Sequence, residues 1–117
     1  MLKVTMLLGA ISIAFMTLNA AQAAETLKVA CTGDMLEPGG VTKSPTTATA
    51  VFSLAKDASK VSIDLGKGSI NAPVLSNNAV QLRFRTKDFT GEYFHYNRDM
   101  FLIYNSGHLA RLTCAPG

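Results

Sequence analysis

The residues of this chain with the most definite chemistry are its two cysteines. Cys31 and Cys114 stand 83 positions apart, with no CxxC spacing of the kind that redox catalysis or zinc binding uses. In an oxidising compartment two cysteines permit a single intramolecular pairing, which predicts a Cys31–Cys114 disulfide. Closing a loop of 84 residues would stabilise the fold by about 4–5 kcal/mol in the chain-entropy model.

Other side chains invite chemistry with less convergence. Arg83, Arg85 and Lys87 recur at every second position with Gln81 in line, so an extended strand would carry them on one face. Such a stripe suits an anionic ligand such as a carboxylate, a phosphate or a lipid headgroup. The same pattern also serves as a solvated face that discourages edge-to-edge pairing. Six of the nine aromatic residues fall between Phe89 and Tyr104. Cross-strand core pairs account for most of them, with Phe94 and Phe101 assigned to the core. Tyr104, beside Asn105-Ser106-Gly107, is the best surface anchor.

His95 and His108 fall on different predicted strands without HxH or HxxxH spacing, whereas a metal site needs three or four converging ligands. No serine sits in a GxSxG-like turn, and the eight acids are scattered rather than paired across a cleft. The expectation is a non-enzymatic protein with no cofactor and no metal.

The elements that must position these residues start after a leader. Lys3 precedes a mostly apolar run from Val4 to Leu18, and Ala21-Gln22-Ala23 supplies the small residues of a cleavage site. Residues 1–23 therefore read as a secretory signal peptide, and no later segment has the roughly 20 apolar residues of a transmembrane helix. Cleavage after Ala23 leaves 94 residues with ten Lys and Arg against eight Asp and Glu. That near balance argues against a nucleic-acid partner. Residues 24–117 are read as a single domain, periplasmic or secreted, whose ligand the sequence does not name; another envelope or secreted protein is the candidate partner.

Within that domain the signals are β. Leu27, Val29 and Cys31 alternate on a first strand. Gly33 to Thr46, with Gly33, Pro38, Gly39, Gly40 and Pro45, reads as a long mobile loop. Strands follow over Ala48 to Ala55, Val61 to Leu65, a short segment around Ile70 limited by Pro73, Val80 to Arg85, Gly91 to Tyr96, Met100 to Tyr104 and His108 to Cys114. Lys56 to Ser59, Gly66 to Gly68, Ser76 to Asn78, Asn97 to Asp99 and Asn105 to Gly107 are the turns. Seven or eight strands with a meander-like C-terminal half and no helical periodicity indicate an all-β fold, a small antiparallel barrel or sandwich with one disulfide.

One stretch adds to this reading. Tyr104-Asn105-Ser106-Gly107-His108-Leu109-Ala110-Arg111-Leu112 resembles the Trp-x-Lys-Gly-x-x-Ala stretch of the small exported β-barrel inhibitors of c-type lysozyme. Thr90-Gly91 matches that family's Ser-Gly, Phe94 falls where it has an aromatic, and Cys31 and Cys114 echo its bridge. The resemblance implies a barrel whose Ser and Lys positions, here Thr90 and Ser106, enter the lysozyme active site. Replacement of the Lys by Ser106 removes a charge-assisted contact with an acidic cleft, and Tyr104 stands for the Trp. The sequence thus indicates a binding or accessory module, or alternatively a periplasmic lysozyme inhibitor. Its first candidate face is Thr90, Tyr104, Asn105 and Ser106, and its second is Arg83, Arg85 and Lys87.

Overall fold

A computed structural model describes residues 26–53 and 60–117. The signal-peptide segment and the Lys56 to Ser59 turn lie outside the described residues. The fold is all-β: β1 (Thr26–Leu36), β2 (Lys43–Ser53), β3 (Lys60–Asp64), β4 (Ser69–Asn77), β5 (Gln81–Arg85), β6 (Phe89–Phe94), β7 (Asp99–Tyr104) and β8 (Leu109–Pro116). Each strand pairs antiparallel with the next, and β8 returns to β1, which closes an eight-stranded barrel. Closure leaves no edge along the full height of the sheet, which a sandwich would have kept.

Period-2 alternation sets the inside. Val29, Cys31, Ala48, Ala50, Phe52, Val61, Ile63, Ala72, Leu82, Phe84, Tyr93, Met100, Leu102, Ala110 and Leu112 are buried. An eight-stranded barrel is just wide enough for side chains to fill. Phe52 from β2 meets Phe84 of β5 and Tyr93 of β6, with ring centroids 6.4 and 4.7 Å apart. Such tilted pairs contribute about 0.5–1.5 kcal/mol beyond their buried area. Cys31 and Cys114 are register partners on β1 and β8 and form the disulfide, so the bridge covalently joins the two strands that close the barrel.

The segment read as a loop from Gly33 to Thr46 is mostly strand. The β1–β2 ladder runs unbroken from Thr26↔Ser53 to Leu36↔Lys43, and only residues 37–42 turn. Gly33 is there for packing: a β-carbon on it would strike the carbonyl of Arg111 in β8. Pro45 is tolerated because the β2–β3 ladder starts only at Thr49, so this half of β2 needs hydrogen bonds on one side alone. β4 likewise extends past Pro73, where its partner changes from β3 to β5 through an irregularity between Val74 and Ser76. Val80 is a turn residue rather than a strand residue and is exposed.

The assignment of Phe94 and Phe101 to the core is also corrected. Gly91, Tyr93 and Phe89 occupy the inward positions of β6, which turns Phe94 outward. Phe94 and Phe101 pack edge to face on the outer surface, with centroids 5.9 Å apart. The parity follows from Phe84, whose ring lies over Gly91 so closely that a β-carbon there would overlap it.

Candidate functional site

Up-and-down connectivity sends four turns to one end of the barrel: residues 37–42, 65–68, 86–88 and 105–108. Most of the residues singled out in the sequence gather there. Thr86 begins the β5–β6 turn. Its Oγ1 accepts from the N–H of Asp88 and of Phe89, at 3.2 and 3.1 Å, which ends β5 at Arg85. Short polar side chains compete for backbone groups in this way wherever the chain must leave a strand. In the β7–β8 turn Gly107 takes φ +95°, a conformation that glycine adopts without strain.

Asn105 joins these two turns. Its backbone N–H donates to the Asp88 carbonyl at 2.9 Å, and its side-chain Nδ2 donates to the Lys87 carbonyl at 2.8 Å. Ser106 Oγ and His108 Nδ1 lie 2.8 Å apart, and the tautomer decides which donates. A serine activated as a nucleophile needs its base oriented by a further group. Among the described residues no hydrogen bond holds the other nitrogen of His108. Pro38 of the 37–42 turn stands beside Gly107, close enough that a β-carbon added there would press on its ring.

The first candidate face is therefore partly assembled. Asn105 and Ser106 are exposed at the tip, and Thr90 faces outward on the adjoining hairpin as the partner of Arg85 and Ile103. Tyr104 does something else. Its ring packs on Phe89 at 5.0 Å and closes the mouth of the core, where burial, and then the charge of Asp88, raises its phenol above the usual pKa of 10. Gly91, half of the Thr-Gly pair, is accounted for by the Phe84 ring.

The second candidate, the cationic stripe, is divided. Arg83 Nε lies 3.3 Å from Glu92 Oε2 across the β5–β6 ladder, so its charge is met. The geometry is that of an ion pair rather than of a directed hydrogen bond, and this buried N–H makes none. Arg85 and Lys87 are exposed and line a groove between β4 and the 86–88 turn. The two histidines are at opposite ends of the barrel, His95 in the β6–β7 turn and His108 in the β7–β8 turn. No three His, Cys, Asp or Glu converge as metal ligands among the described residues.

Sequence reasoning missed the groove because its apolar residues, Ile70, Pro73 and Leu75, read as a poor, short strand. The available signal was Ile70 itself, an apolar residue placed to pair with Ile63. No helix is long and apolar enough to cross a membrane among the described residues. Comparison of the chain with protein-family models, with curated proteins and with solved structures finds no match in any of the three.

Proposed function

We propose that this chain is an exported, non-enzymatic binding module that engages another envelope or secreted protein through the turn end of its barrel. The observation that carries this reading is the fusion of the 86–88 and 105–108 turns by Asn105. Surface turns are ordinarily mobile. Here two of them are tied into one preformed surface, and preformed surfaces lose less ordering entropy on binding. The filled interior supports the same view, since it directs ligands to the outside. Export is supported by the buried Cys31–Cys114 bridge, which suits an oxidising compartment, and by the leader-like first 23 residues. The test is retention of a partner from the envelope fraction by the wild type, compared with a variant carrying Thr90→Arg and Ser106→Arg.

A second reading, inhibition of lysozyme, is favoured by one specific observation. A closed barrel bridged between its first and last strands is the architecture that the sequence resemblance implies, with Thr90 and Ser106 on neighbouring hairpins of one end. It predicts that micromolar protein slows a c-type, g-type or i-type lysozyme and that Thr90→Ala weakens the effect. Undiminished activity of all three enzymes would remove this reading and leave the first standing.

A further inference from the structure

Four observations converge on one side of β4. The β3–β4 ladder covers Ser69 to Pro73, from Asp64↔Ser69 to Lys60↔Pro73. On the other side pairing with β5 starts only at Val74↔Phe84, because β5 turns away after Arg85. Among the described residues, Ser69 to Pro73 thus have no strand on their second side. Ile70, register partner of the fully buried Ile63, shares the inward parity and is nevertheless 44% exposed, as is Leu75. Beside them lies a groove of about 530 Å³ whose lining includes Ile70 and Asn71 from β4 and Arg85, Thr86 and Lys87 from the end of β5 and the turn after it. Arg85 and Lys87 make no ion pair with a carboxylate among the described residues.

We propose that this edge is the docking site for an extended, acidic segment of a partner protein, which adds to the sheet as a further strand beside β4. An unpaired strand edge offers main-chain donors and acceptors that another chain can complete, and pockets for alternate side chains then select the sequence. The incoming strand continues the line that β5 abandons at Arg85. Its inward-facing apolar side chains cover Ile70 at the rim of the core, and carboxylates at the end that abuts β5 meet Arg85 and Lys87. Charge selects this occupant over a second copy of the chain. Ser69 to Pro73 carry no carboxylate, and Lys67, two residues before them, would bring a further cation to the rim. The proposal rests on the reading of the chain as a binding module, but not on the Thr90 and Ser106 face.

The experiment uses an acetylated, amidated peptide of alternating valine and threonine with two glutamates at one end. It is titrated into the full-length mature protein and followed by amide NMR shifts and hydrogen exchange. The expected result is saturable binding with slowed exchange at Ile70 and its neighbours. A peptide with two lysines in place of the glutamates should bind at least about tenfold more weakly, as should an Arg85→Glu, Lys87→Glu variant of unchanged melting temperature. A peptide N-methylated at alternate amides keeps every side chain and cannot pair, so it should not bind. No saturation up to about 1 mM, a bound free energy weaker than about −4 kcal/mol, would overturn the proposal. Equal binding of the N-methylated peptide would overturn strand addition, and self-association without peptide would assign the edge to a second copy. Loss of partner retention on Thr90→Arg and Ser106→Arg with this titration intact would separate the two surfaces.

Discussion

The side-chain amide of Asn105 donates to the carbonyl of Lys87, 18 residues earlier, at 2.8 Å. One side chain thereby makes two hairpin tips a single surface. Asn105→Ala removes one exposed hydrogen bond, a loss of about 0.5–1.5 kcal/mol. The expected outcome is a melting temperature lower by several degrees, with faster hydrogen exchange confined to residues 86–88 and 105–108. Exchange that accelerates across the whole barrel instead would show that Asn105 acts on global stability.

The disulfide joins the strands that close the barrel, so its removal acts on the last step of closure. Reduction, or Cys31→Ala with Cys114→Ala, is expected to cost about 2–5 kcal/mol. Denaturant midpoints with and without reductant measure it. An unchanged midpoint would mean that the β1–β8 ladder closes as firmly without the bond.

Gly91→Ala is expected to destabilise the fold by about 1–3 kcal/mol through overpacking, because the new β-carbon runs into the Phe84 ring. In the background of Phe84→Leu the same substitution should cost less. A double-mutant cycle on chemical denaturation reads this coupling directly. Strict additivity would contradict the Phe84–Gly91 contact as the reason for the glycine.

Much of this was legible from alternation alone. Val61, Ile63, Leu82 and Phe84 are inward as their spacing requires, and the cysteines pair as their count requires. In β6 alternation could not decide, because Tyr93 and Phe94 offer aromatic residues of both parities; the Phe84 ring over Gly91 settles it. Gly33 and Pro45 concealed the long β1–β2 ladder, since a glycine demanded by a crossing strand and a proline on a one-sided strand look like loop composition. The candidate site was half visible. Asn105 and Ser106 lie at the tip as expected, whereas Tyr104 is drawn inward by Phe89 and Arg83 is met by Glu92, both contacts between residues on different strands.

Alkaline pH should weaken the fold. Burial raises the phenols of Tyr93 and Tyr104 above 10, opposed at Tyr93 by Arg98 and reinforced at Tyr104 by Asp88. Once pH exceeds 10 the unfolded chain releases these protons while the folded chain keeps them, so stability falls as pH rises toward the folded values. Below 10 these groups add no pH dependence. Tyr104→Phe should flatten part of the decline in denaturation curves taken across this window. An identical slope in the variant would show that Tyr104 contributes nothing to it.

The central claim is that the turn end of the barrel holds a protein partner. Native mass spectrometry tests it on protein purified from the envelope fraction of its own host, wild type beside the Thr90→Arg, Ser106→Arg variant. The account predicts an oxidised chain starting at Ala24 that carries a non-covalent protein mass in the wild type and loses it in the variant. A bare chain in both, or the same partner retained by both, would contradict it.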